Sequence, residues 1–114
     1  MASESHDPRY LAFFNRFNRQ EYFEAHEVLE DLWLATHDDR RDFYKGLIQT
    51  AAVFLKLKQG KPDPAARLAA RALALLERYE PRYQSLDVRT VTDLLRNPTA
   101  YSPAPRLRLE ASCD

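Results

Sequence analysis

Three polar side chains fall where a helical pattern asks for apolar ones: His26, Glu30 and Gln49. Projected at about 100° per residue, Tyr22, Ala25, Val28, Leu29, Leu32 and Trp33 form an apolar arc, which Phe23 and Leu34 extend on its far side. His26 and Glu30 fall between these two groups, one turn apart, while Glu24, Glu27 and Asp31 cluster on the opposite, solvent side. An imidazole and a carboxylate at i,i+4 can touch, so the pair could share a proton or supply two donors to a metal ion. Gln49 lies in the middle of Leu47–Leu55, an apolar run that only Gln49 and Thr50 interrupt. Each buried polar group left without a partner costs about 1–3 kcal/mol, so the simplest expectation is a satisfied hydrogen-bond network. In it His26 pairs with Glu30, Gln49 ties one helix to its neighbour and Trp33 covers the set.

The sharper reading is a ligand or metal pocket. His26-Glu27-Val28-Leu29-Glu30 differs from the zinc-protease His-Glu-x-x-His helix by a glutamate in place of the second histidine. No third ligand follows at metalloprotease spacing, and the Glu-x-x-His pairs of di-iron bundles are missing. Glu27, the catalytic acid of that motif, points to solvent. His37 reads as a histidine at a helix C-terminus and His6 as part of a frayed end. Cys113 lies in the tail, and a lone cysteine forms no internal disulfide.

The elements that must hold these residues are helices. Asp7-Pro8 is an N-cap followed by proline at the first helical position, opening a helix to about Phe17 that buries Leu11 and Phe14. Asn18-Arg19-Gln20-Glu21 has capping-box spacing and predicts a second helix from there to about Thr36. Asp38–Asp42 reads as a turn into a third helix over 40–59 that Gly60 terminates, and Asp63-Pro64 caps a fourth helix ending at Tyr79-Glu80. Asp87 caps a short fifth helix through Arg96, stopped by Asn97-Pro98. Gly46, inside the third helix, costs about 1 kcal/mol relative to alanine and implies that another backbone comes close. The expected fold is therefore all-α, a compact bundle of about five mostly antiparallel helices over residues 8–97, with flexible or extended tails at 1–7 and 98–114.

Composition narrows the function. The 114 residues make one domain, and 17 basic residues balance 17 acidic ones. A phosphate-binding protein normally shows a basic excess, so nucleic acid is not the expected partner, although Arg40, Arg41, Lys45, Lys56 and Lys58 could form a local patch. No apolar run approaches the roughly 20 residues of a membrane span, and the N-terminus lacks a signal-peptide pattern, which points to the cytoplasm. Tyr44, Tyr79, Tyr83 and Tyr101 are either interface residues or core edges.

Two strings carry a family resemblance. Phe17-Asn18-x-x-x-Tyr22-Phe23-Glu24-Ala25-His26-Glu27-Val28-Leu29-Glu30-x-x-Trp33, followed by Phe43-Tyr44-x-Gly46-Leu47-Ile48-Gln49-x-Ala51-Ala52, resembles the signature of domain of unknown function 309. The resemblance covers roughly residues 9–90 and implies a compact helical bundle with no established activity; His26, Glu30, Trp33, Gly46 and Gln49 are then its signature positions. Where the family often carries a histidine five to seven residues after Gln49, this chain has Phe54, Leu55 and Lys56. Its usual Gly-Asn connection is here Gly60-Lys61-Pro62, while Ser85-Leu86-Asp87-Val88 resembles a later family segment. The resulting expectation is a non-enzymatic domain working through protein contacts or self-association, with no cofactor. The competing one is a divalent-metal or small-ligand protein, with hydrolase chemistry as one form, using His26 and Glu30.

Overall fold

Asp7 opens the bundle as expected: its carboxylate accepts the Arg9 amide hydrogen at 2.8 Å, with Pro8 in the first turn. In the computed structural model, which describes residues 6–100 and 105–110, helix α1 spans Pro8–Asn18 and α2 spans Tyr22–Leu34. Helix α3 spans Arg40–Lys58 and α4 spans Pro62–Leu76, running into a 3-10 turn at Glu77–Tyr79. A two-residue hairpin, β1 (Arg82–Tyr83) and β2 (Leu86–Asp87), precedes α5 (Val88–Arg96). Residues 1–5, 101–104 and 111–114, with Tyr101 and Cys113 among them, lie outside the described residues.

Successive helices run antiparallel. The Arg9 guanidinium reaches the Asp31 carbonyl while Phe17 meets Tyr22 at the other end of the α1–α2 pair. Arg41 lies over Trp33 and Phe54 against Tyr22, which fixes α2 against α3. Asp42 pairs with Arg78 at the far end of α4. Aromatic side chains join the layers: Phe17 meets Phe54 edge-on at 5.7 Å, and Phe43 has Tyr10, Tyr44, Tyr79 and Tyr83 around it at 4.7–6.1 Å. Tyr10, Phe13, Phe17, Phe43, Leu29 and Leu47 are fully buried.

The helix stops follow the chain's glycine and asparagine chemistry. Gly60 takes φ 73°, and the amide hydrogens of Gly60 and Lys61 bond back to the Leu57 and Lys56 carbonyls at 3.0 and 2.8 Å, a Schellman closure. Pro62 then opens α4 directly, so the expected Asp63 cap does not form. Asp87 does cap α5, accepting the Thr90 amide hydrogen at 3.1 Å.

Several local expectations are corrected. The Asn18–Glu21 capping box does not exist: Asn18 is the last residue of α1, Gln20 is left-handed at φ 63°, and α2 starts at Tyr22 without a side-chain cap. The Asn18 amide is engaged instead by Leu107, donating to its carbonyl at 2.6 Å and accepting its amide hydrogen at 2.7 Å. Leu11 is 42% exposed; α1 turns Tyr10, Phe13, Phe14 and Phe17 inward. Tyr44 is buried, and Tyr79 and Tyr83 are half-buried against Phe43, so these three are core and core edge. The hairpin went unforeseen because its turn uses Gln84 and Ser85, both at positive φ, where Asn-Gly is the recognisable pair. That turn is held by the Tyr10 hydroxyl, which donates to the Gln84 carbonyl at 2.9 Å.

Residues 105–110 run extended beside α1 and the hairpin, with Leu107 buried and Leu109 bridging Leu86. Asn18→Ala removes both bonds to Leu107 and is expected to cost about 1–3 kcal/mol locally. Amide exchange at Leu107 should accelerate about tenfold or more while α3 amides keep their rates. Unchanged exchange at Leu107 would show that burial alone holds this segment.

Candidate functional site

His26, Glu30 and Trp33 stand on the edge of the core. Beneath them Ala25, Leu29, Tyr22 and Leu32 are buried at 0–5% exposure. His26, Glu30 and Trp33 come next around α2, each half-buried, and then Phe23 and Leu34, 52% and 57% exposed. Glu24, Glu27 and Asp31 lie on the open side as expected. The apolar arc therefore ends at Trp33, and the expected extension by Phe23 and Leu34 is a surface ridge. Among the described residues α1 and α3 are the main elements packed on α2, and they leave this line of the helix exposed.

The expected hydrogen-bond network does not form. His26 keeps its Nδ1 buried without a partner and lies nearly parallel to the Phe23 ring, 18° between planes and 6.2 Å between centroids. Glu30, on the next turn, makes no ion pair among the described residues. Trp33 buries its Nε1 hydrogen without an acceptor. Its ring carries the Arg41 guanidinium at 4.1 Å and the Lys45 ammonium at 5.7 Å, cation–π contacts from the first two turns of α3. Arg41 Nε is buried and unpaired as well. Arg41 and Lys45, read from the sequence as part of a local basic patch, are brought onto Trp33 by antiparallel α2 and α3 joined by a short turn.

Gln49 stands apart from His26 and Glu30 in its hydrogen bonding. It is three residues after Gly46, which lies on the side of α3 that meets Leu76, and four after Lys45, whose ammonium lies over Trp33. Its Oε1 is buried without a partner, and no hydrogen bond links it to His26 or Glu30 among the described residues. Gly46 marks the closest approach on that side: a Cβ there would sit 2.6 Å from Leu76 Cγ and Cδ2, a side chain and not the expected backbone.

Several charged groups around the α2–α3 turn and the end of α4 are engaged. At the α2–α3 turn, the Arg40 guanidinium and amide hold the Asp38 carboxyl down at about 2, from the ordinary 3.8. Asp42 pairs with Arg78, and the Tyr79 hydroxyl donates to the Asp39 carbonyl at 2.6 Å. Among the described residues no group of three His, Cys, Asp or Glu side chains is placed to hold a metal ion. Surface clefts of about 380–650 Å³ among the described residues are lined by side chains other than His26, Glu30, Trp33 and Gln49. No helix among the described residues is long and apolar enough to cross a membrane.

Comparison with known proteins gives two findings. Residues 10–68, from α1 into α4, match a family described as a domain of unknown function (DUF309). An uncharacterized protein from Aquifex aeolicus (strain VF5) is 33% identical over 58 residues, which make up 50% of this chain and 17% of that protein. The match thus spans less than a fifth of that relative's length.

Proposed function

Because the chain belongs to the family described as a domain of unknown function (DUF309), and the matched region contains all of α2 and α3, we propose that it works through the outer face of those helices, as a non-enzymatic protein–protein interaction domain. The observation that carries this reading is the ridge formed by Phe23 and Leu34. The two are eleven residues apart, within about 20° of one line along α2, and both are more than half exposed. Single exposed apolar residues are ordinary, but two at the ends of one line, with Glu27 and Glu30 between them and a half-buried tryptophan and histidine beside them, support a mixed apolar and polar contact surface.

Placing a photoreactive benzoylphenylalanine at Phe23 or at Leu34 in cells tests it. Covalent protein adducts are expected from both positions and not from exposed Arg67 on α4. Equal labelling at Arg67, or none on the ridge, would refute the reading.

The competing reading, metal or small-ligand chemistry at His26 and Glu30, draws its support from the unpartnered imidazole nitrogen. Its two donors stand on one helix. Replacing both, His26→Leu with Glu30→Met, separates the two readings. An interaction domain keeps its fold and loses no metal, since removing a buried unpaired nitrogen is close to neutral. Stoichiometric metal in the purified protein, lost in that double variant, would establish the alternative instead.

A further inference from the structure

We propose that Trp33, Arg41 and Lys45 form a carboxylate-binding site, which receives an aspartate or glutamate side chain of a protein partner. This rests on the outer face of α2 and α3 being a protein contact surface, and adds the chemistry of what it recognises. The warrant is a set of hydrogen-bond donors that lack an acceptor. Trp33 Nε1 and Arg41 Nε are both buried without a partner among the described residues. Neither group can accept a hydrogen bond, so what each lacks is an oxygen or another lone pair. The two are neighbours, because the Arg41 guanidinium carbon lies 4.1 Å from the centre of the Trp33 ring. The Lys45 ammonium, an exposed third donor, stands 5.7 Å from the same ring.

The charges around the ring are not balanced from within. Arg40 and Arg78, close by, hold the carboxylates of Asp38 and Asp42. Among the described residues no carboxylate contacts Arg41 or Lys45, although Glu30 is three residues before Trp33 and Asp39 lines one cleft with Arg41. No hydrogen bond or ion pair among those residues holds the Arg41 guanidinium, which rests on the ring by its cation–π contact. It can therefore turn to a ligand without breaking a hydrogen bond. A planar carboxylate matches the fork of a guanidinium with two parallel bonds, and an ammonium beside it adds another charge-assisted one. Glu30 argues against a doubly charged phosphate, because its own charge offsets one of the two cations. Leu34 follows Trp33 directly and is 57% exposed, so an apolar neighbour of the bound acid has a place to rest. Gln49 Oε1, the unpaired acceptor, needs a donor and is no part of this site.

Trp33 is the only tryptophan in the chain, so its indole N–H gives a single proton signal. The test titrates the full chain, at constant ionic strength, with N-acetylglutamate amide, a glutamate side chain with both backbone ends blocked. Nuclear magnetic resonance follows the Trp33 indole proton and the Arg41 Nε proton. Both are expected to move downfield and saturate, while N-acetylglutamine amide moves neither. Arg41→Gln and Lys45→Gln should each weaken binding about tenfold, and Glu30→Gln should strengthen it. Lost stability in Glu30→Gln, with both protons shifted before any probe is added, would show that Glu30 is their partner in solution and overturn the site. Equal shifts with inorganic phosphate would overturn the carboxylate assignment. A silent titration beside cross-links from Phe23 and Leu34 would overturn the site and leave the interaction reading standing. Saturable binding without ridge cross-links would overturn the protein partner and leave a small carboxylate as the ligand.

Discussion

Replacing Phe43 with alanine is expected to cost about 3–5 kcal/mol, out of the about 5–15 that stabilise an ordinary domain. The ring is fully buried and has four aromatic neighbours, Tyr10 from α1, Tyr44 from its own helix, Tyr79 from the 3-10 turn and Tyr83 from the hairpin. Three of those neighbours cannot easily close over the void, because their hydroxyl ends are committed. Tyr10 donates to the Gln84 carbonyl, Tyr44 exchanges hydrogen bonds with the Gln84 side chain, and Tyr79 donates to the Asp39 carbonyl. Urea unfolding followed by circular dichroism measures the effect as a fall in midpoint with an unchanged slope. Phe43→Leu should cost less than half as much. A loss below about 1.5 kcal/mol for the alanine variant would mean that the cluster repacks freely.

The second large effect is expected at Gly46. Alanine there gains about 1 kcal/mol of helix propensity, yet its Cβ collides with Leu76, so the net result is a loss of up to about 2 kcal/mol. Valine adds two further carbons in the same closed space, and Gly46→Val should lose about 3 kcal/mol. The cause is separable from propensity by a double-mutant cycle. In a Leu76→Ala background the penalty at residue 46 should shrink by about 1–3 kcal/mol, since the colliding atoms are gone. A penalty that persists unchanged would place the conflict in the backbone and not in the α3–α4 contact.

Of these two residues Gly46 was legible in part. Gly46 announced a close approach from its position inside an apolar helix, though nothing local says whether a side chain or a backbone arrives. Capping and stop signals were read correctly where the partners are local: Asp7 with Arg9, Asp87 with Thr90, Gly60 with the last turn of α3. They misled where a distant residue competes. Asn18 looked like a cap because its true partner is 89 residues away. Leu11 and Tyr10 are adjacent on α1 and both apolar, and only the packing of α3 and the hairpin decides which one is buried.

The candidate site shows the same division. Helical projection put His26 and Glu30 on one line of α2 and Glu27 on the open side, which needs only the geometry of one helix. Assigning Gln49 to the same set required knowing which side of α3 faces which neighbour. The expectation that Phe23 and Leu34 would be covered assumed that an apolar side chain finds its partner within the same chain. That assumption failed along the line of α2 that neither α1 nor α3 reaches.

The bond between Asn18 and Leu107 also sets an order of events during synthesis. At about 5–20 residues per second, the 89 residues from Arg19 through Leu107 take about 5–18 s to translate. For the later part of that interval α1 and α2 are both synthesised and able to pair, while the Asn18 amide at the end of α1 still lacks Leu107. Leu107 and Leu109, which face Leu11 and Phe14, arrive later still than the hairpin they cover. The last stitch of the fold is therefore made by a segment that the family match at 10–68 does not include. A nascent chain can own the whole α2–α3 face, and engage whatever binds it, before its own first helix has been closed.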